Sequence, residues 1–133
     1  MNAMINDINS FDEIKTILLV DDELIFRKVW QVHLETNGYH VISVGNGKEA
    51  LESYIQNRDK ISLVIMDLQM PVMSGTEAIN EILKLDSDVK VLVSSVYLLD
   101  EKALDSKPKH FGYIRKPYRF SCLTTAIENI LES

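Results

Sequence analysis

Three acidic side chains in this sequence stand where an apolar run stops: Asp21 and Asp22 follow "TILLV", and Asp67 follows "SLVIM". A hydroxyl pair, Ser94-Ser95, ends "KVLV", and Lys116-Pro117 closes "GYIR". Carboxylates brought together repel, by ~4 kcal/mol for two unit charges about 4 Å apart at an effective dielectric near 20. If the runs lie side by side, the acids need a compensating cation, which a divalent metal together with Lys116 would supply. Magnesium suits such a place, because it takes oxygen ligands, keeps several waters and is held by one or two carboxylates plus a phosphate. Each residue also has a simpler explanation. Asp22 would cap a helix starting near Leu24, Asp67 would shape a turn before Met70-Pro71, and Lys116-Pro117 would be a turn. Those explanations do not account for the coincidence at four run ends.

The elements that must position these residues alternate in kind. Short apolar runs at Thr16 to Val20, His40 to Val44, Ser62 to Met66, Lys90 to Ser94 and Gly112 to Ile114 read as strands buried on both faces. Between them lie helical stripes: Leu24 to Glu35, stopped by Asn37-Gly38; Ala50, Leu51, Tyr54 and Ile55; Ala78, Ile79, Ile82 and Leu83; and Leu123, Ala126, Ile127, Ile130 and Leu131. A further helix after Tyr97 has the least to bury, and Pro108 ends it early. Strand and helix alternating five times imply a parallel sheet covered on both faces by right-handed crossovers. In such sheets ligands bind beyond the carboxyl ends of the strands, where the strand order reverses.

Composition narrows the function classes. The chain has 133 residues, 46% hydrophobic and 26% charged, which fits one globular domain. Its net charge is -6 with Lys and Arg scattered, so the basic footprint of nucleic-acid binding is missing. Apolar runs are far shorter than the roughly 20 residues that span a bilayer. The start, "MNAMINDINSFDEIK", lacks the basic and apolar regions of a secretory signal. One cysteine, Cys122, forms no internal disulfide and reads as a core residue, so a reducing cytoplasm is expected. Residues 1–13 read as a loose extension and 14–133 as the domain.

The motifs resemble the receiver domain of two-component response regulators over about residues 15–132. "ILLVDDE" is similar to that family's acidic motif, "LVIMDLQMPVMSG" to its phosphoacceptor strand and loop, "VLVSSV" to its fourth strand and "GYIRKPY" to its fifth with the Lys-Pro that follows. The resemblance implies a single flavodoxin-like (βα)5 domain with strand order 2-1-3-4-5, in which Asp22 and Asp67 are neighbours across the switch point. It implies Asp67 as the phosphoryl acceptor, and Asp22, Asp67 and the Gln69 carbonyl as direct Mg²⁺ ligands, with Asp21 acting through water. Lys116 pairs with the phosphoryl oxygens in that reading. Ser95, 28 residues after Asp67, is the switch hydroxyl and Tyr113 the switch aromatic, while Gln69 and Tyr97 occupy positions that tune dephosphorylation. The paired acids are then tolerated because they hold a metal.

The implied partners are a histidine kinase or a histidine phosphotransfer protein, and an output protein that the sequence does not name; a homodimer stays open. Two departures stand out: Ser74 replaces an Asp before the family's Gly, and "DEKALDSKPKHFGY" lacks the small residues that precede the fifth strand. The helix before that strand is therefore expected to be truncated or displaced. Two other functions compete. One is a magnesium-dependent phosphohydrolase with Asp67 as nucleophile, disfavoured because the residue two positions on is Gln69 and not a second acid. The other is a phosphate-independent interaction module, disfavoured by the complete acid, hydroxyl and Lys set. His33 reads as a surface or packing residue rather than a phosphohistidine.

Overall fold

The computed structural model describes residues 14–133, so the expected extension 1–13 lies outside the described residues. Five strands form one sheet: β1 (Thr16–Val20), β2 (His40–Val44), β3 (Ile61–Met66), β4 (Lys90–Ser95) and β5 (His110–Arg115). They run parallel in the order β2-β1-β3-β4-β5, as the motifs implied. Four helices connect or follow them: α1 (Leu24–Thr36), α2 (Gly47–Asn57), α3 (Gly75–Leu85) and α4 (Phe120–Glu132).

Alternation along each strand sends successive side chains to opposite faces, and the core divides accordingly. Leu18, Val20, Val64, Met66, Val91 and Val93 meet Ala50 and Tyr54 of α2 and Ala78, Ile79 and Ile82 of α3. Ile17, Leu19, Leu63, Ile65 and Leu92 meet Leu34 of α1 and Leu123, Ile127 and Ile130 of α4. The buried phenol of Tyr54 donates to Asp86 Oδ2 at 2.8 Å, which ties α2 to the end of α3. Burial pushes that phenol up, and the hydrogen bond to Asp86 adds to it.

Three expectations need correction. Between β4 and β5 there is no fifth helix, only a 3-10 turn at Glu101–Ala103. The segment buries Leu104 and Pro108 and little else, too few apolar side chains to hold a helix against the sheet. Ile55 is exposed, because α2 packs along Ala50 and Tyr54 and a residue one step further on turns about 100° away. Cys122 is exposed rather than core for the same reason, one step before the buried Leu123.

Ser74 caps α3: its hydroxyl accepts from Glu77 N, and the Glu77 carboxylate accepts from Ser74 N. The loop before it carries a strained residue. Val72 has φ +72° and is 78% exposed, a left-handed conformation that β-branched residues resist. Replacing it with Asn, which tolerates that region, is expected to stabilise the protein by about 1 kcal/mol. A higher midpoint in chemical denaturation is the expected reading, and an unchanged or lower one would refute the strain.

Candidate functional site

Register brings the acids together. Val20 pairs with Met66 across β1 and β3, so the residues that follow, Asp21 and Asp67, leave neighbouring strands side by side. Backbone hydrogen bonds hold both: Asp21 N donates to Val44 O at 3.1 Å and Asp67 N to Val20 O at 3.0 Å. The chain departs in opposite directions from β1 and β3, which makes this the switch point of the sheet. Asp21 is 1% and Asp67 6% exposed, whereas Asp22 faces solvent. Asp22 is not the helix cap considered from sequence; the N-cap of α1 is Glu23, and no side chain caps it.

Lys116 reaches the acids from the far side of the sheet. Its backbone N donates to Ser95 O at 3.0 Å, which continues the β4 to β5 ladder by one residue, and the Lys116–Pro117 bond is cis. Its Nζ lies 2.5 Å from Asp21 Oδ2 and 3.7 Å from Asp67 Oδ2. The nearer partner is therefore the acid expected to act through water. Asp21 Oδ1 accepts from Glu23 N at 2.9 Å, and Arg27 Nη1 donates to the Asp21 carbonyl at 2.7 Å. Asp67 Oδ1 accepts from Gln69 N at 3.3 Å. Burial pushes the Asp67 carboxyl up from its ordinary value; Lys116 and the Gln69 amide oppose this, and the charges of Asp21 and Asp22 reinforce it.

The hydroxyl pair separates in role. Ser94 Oγ shares a 2.7 Å hydrogen bond with the Tyr118 hydroxyl. The fully buried Ser95 accepts from Tyr97 N at 3.2 Å, and it is the serine that Tyr118 leaves free. Tyr113, half-buried on the edge strand β5, donates to Tyr97 O at 2.9 Å. Burial pushes the Tyr118 phenol up to about 12, with the charges of Asp21 and Asp67 adding to it and the Ser94 hydrogen bond opposing it.

Several side chains around the site have no role assigned from sequence: Phe26 and Arg27, which lie outside the motifs, and Ser94 and Tyr118, which lie within them. Phe26 puts its ring 4.2 Å from Lys116 Nζ. Only the helical position of Phe26, five residues after Asp21 and near the strand end, hinted at it.

One carboxylate oxygen from each of Asp21, Asp22 and Asp67 lies within 4.8 Å of the other two. Hard oxygen donors in that number, on one open side of a buried lysine, fit a magnesium-sized ion. Among the described residues, no helix is long and apolar enough to cross a membrane.

The chain matches the response regulator receiver domain over residues 17–128. It belongs to the response regulator receiver family. The receiver is 32% identical over 118 residues to the chemotaxis protein CheY of Thermotoga maritima, covering 87% of this chain and 97% of that one. It is 34% identical to the sensor kinase CckA of Brucella abortus but spans only 12% of that protein's length. Among solved structures, the receiver resembles the response regulator TrrA of Thermotoga maritima in complex with Mg²⁺-BeF, with a TM-score of 0.75, 31% identity and coverage of 88% and 99% of the two chains. TrrA has also been solved in complex with the histidine kinase ThkA, and there the identity is 32% and the TM-score 0.75.

Proposed function

We propose that this receiver, residues 14–133, accepts a phosphoryl group on Asp67 from the phosphohistidine of a histidine kinase or phosphotransfer protein in the cytoplasm, and signals by binding an output protein. As a receiver domain the chain is not a conventional enzyme; its own phosphorylation and dephosphorylation are the only reactions assigned to it. The observation that carries this reading is the Lys116 ammonium set between Asp21 and Asp67 at the in-register ends of β1 and β3. That arrangement offers a nucleophile, a cation and an acidic pocket within one buried cleft.

In the transfer, an Asp67 carboxylate oxygen attacks phosphorus in line. The new P–O bond forms as the P–N bond to the imidazole breaks, and the electron pair stays on the imidazole nitrogen. The transition state is loose, so positioning and charge neutralisation are the protein's main contributions. Asp21, Asp22, Asp67 and the Gln69 carbonyl would hold Mg²⁺, which when bound neutralises charge on the phosphoryl oxygens and the acids. Lys116 turns from Asp21 towards the new phosphoryl oxygens, and the Ser95 hydroxyl donates to them. Tyr113 secures the loop through its bond to Tyr97 O, which couples the modified site to the β4 and β5 edge.

A protein partner also suits the surface beside the cleft. Leu24, Ile25, Val29 and Val32 of α1 are all exposed, and such apolar patches favour protein contacts. The phosphohydrolase alternative lacks its second acid at Gln69.

The test is intact mass after incubation with acetyl phosphate and Mg²⁺, beside a chelator control. A gain of one phosphoryl group that needs the metal is expected; no gain under any condition would overturn the assignment. Gln69, whose N–H reaches Asp67 Oδ1, and Tyr97, whose N–H reaches Ser95 Oγ, both have exposed side chains. Substituting either with Ala is expected to change the lifetime of the aspartyl phosphate severalfold while stability moves by less than about 0.5 kcal/mol. Equal lifetimes in a decay time course would remove them from that role.

A further inference from the structure

The Lys116 ammonium has three hydrogens and three distinct surroundings. Asp21 Oδ2 lies at 2.5 Å, Asp67 Oδ2 at 3.7 Å, and the centroid of the Phe26 ring at 4.2 Å. The two carboxylates define its charged contacts, and the aromatic face covers another side. A ring at this distance attracts a cation through its quadrupole, more strongly where water is excluded, and the Lys116 side chain is only 10% exposed.

The Phe26 ring is itself held. It meets Trp30 at 5.5 Å between centroids and Tyr118 edge-on at 6.2 Å. Tyr118 stands 5.2 Å from Trp30 and is pinned through its hydroxyl to Ser94. Trp30 stacks in turn on Phe120 at 5.5 Å. Helix α1, the end of β4 and the start of α4 thus converge on one ring that lies against the ammonium.

We infer that Phe26 is a positioning residue for phosphoryl transfer: its ring face holds the Lys116 ammonium over the acid pocket and lets it move from Asp21 to the phosphoryl oxygens. This inference rests on the receiver reading of Asp67 and Lys116. A carboxylate in that position would bind Lys116 directionally and retain it. An aliphatic side chain would fill the space but offer the cation nothing. The quadrupole of a ring attracts without a preferred hydrogen, so the ammonium keeps its contact while it changes partners.

The test compares Phe26→Leu, Phe26→Tyr and Trp30→Leu. Phe26→Leu keeps apolar bulk and removes the ring, Phe26→Tyr restores the ring, and Trp30→Leu disturbs the aromatic cluster without touching Lys116. Two readouts apply: the ε-methylene shift of Lys116 in the unmodified, metal-free protein by NMR, and the initial rate of labelling by acetyl phosphate with Mg²⁺. A methylene beside an aromatic face is displaced upfield. Phe26→Leu is expected to lose that displacement and to label about fivefold to tenfold more slowly. Phe26→Tyr should keep both properties, and in Trp30→Leu, which removes one of the rings that hold Phe26, the labelling rate should follow the methylene shift whatever the denaturation midpoint.

Labelling of Phe26→Leu at the parent rate would overturn the inference, as would an equal loss of rate in Trp30→Leu with the Lys116 methylene shift retained, which would mark a merely structural role. Failure of the parent protein to label would instead count against the receiver reading. The methylene shift would still report on the ring contact in that case.

Discussion

Asp67→Asn is expected to abolish labelling by acetyl phosphate, a loss on the order of a thousandfold or more, while the fold stays at least as stable as the parent. Asn has nearly the same shape and can still accept from Gln69 N, but its amide oxygen is a poor nucleophile and carries no full charge. Stability follows from the raised pKa of Asp67. An acid whose folded pKa lies above its unfolded one binds its proton more tightly when folded. Above the folded pKa the ionised group therefore costs stability, and the cost fades as pH falls through that value. Asn removes the cost at neutral pH, and Lys116 keeps Asp21 as its close partner. Intact mass and denaturation midpoints at pH 7 check both parts. Retained labelling at the parent rate would place the acceptor elsewhere, and a markedly lower midpoint would show that the Asp67 charge stabilises the cleft.

Gly75→Ala is expected to damage both stability and transfer. A Cβ built on Gly75 would lie 2.0 Å from the Asp67 carbonyl oxygen and 2.8 Å from Leu68 Cα. Those atoms are backbone and cannot swing aside. Gly75 N also donates to Leu68 O at 3.0 Å, so the start of α3 is clamped against the peptide that carries Asp67, the proposed acceptor. The expected cost is about 3 kcal/mol, the upper end of ordinary overpacking. Labelling should fall about a hundredfold, because displacing the reacting group by an ångström is enough for that. Gly38→Ala is the control. Gly38 has φ +93° with nothing within 4 Å of a built Cβ, so it should cost only about 1 kcal/mol of backbone strain and leave labelling unchanged. Equal behaviour of the two variants would refute the close approach at Gly75.

The three central strands were legible because they are buried on both faces and so appear as unbroken apolar runs, whereas the edge strands β2 and β5, expected to be buried as well, are only partly so. All five were recognised within one or two residues of their bounds; β5 was read two residues short at its start because His110 is polar. The acids and Lys116 were legible for a related reason: a charge directly after a buried strand has few structural uses. Helix faces were harder. The α2 stripe was read one residue too wide at Ile55, since periodicity fixes a direction but not the width of the contact. Least legible were interactions that join distant stretches of chain. Nothing in the local sequence says that Phe26 meets Lys116, that Tyr118 takes Ser94 and leaves Ser95, or that Asp21 is the nearest partner of the lysine. Those follow only when β1, β4 and β5 end at one edge.

The missing helix between β4 and β5 bears on how much work a phosphoryl group must do. A regular helix there would have to break a ladder of backbone hydrogen bonds and withdraw a packed face before it could rearrange. The single turn at Glu101–Ala103 offers far less resistance. Stretches with few buried apolar contacts open at a small fraction of the global unfolding free energy. Ser95 ends β4 before this stretch and Tyr113 lies on β5 after it; the Tyr97 N–H donates to Ser95 Oγ and the Tyr97 carbonyl accepts from the Tyr113 hydroxyl, which links the two. A modest differential affinity at the acceptor site is then sufficient to redistribute the loop between alternative arrangements. On the proposed function, low local stability beside the acceptor would let a weak chemical input become a usable shift in populations.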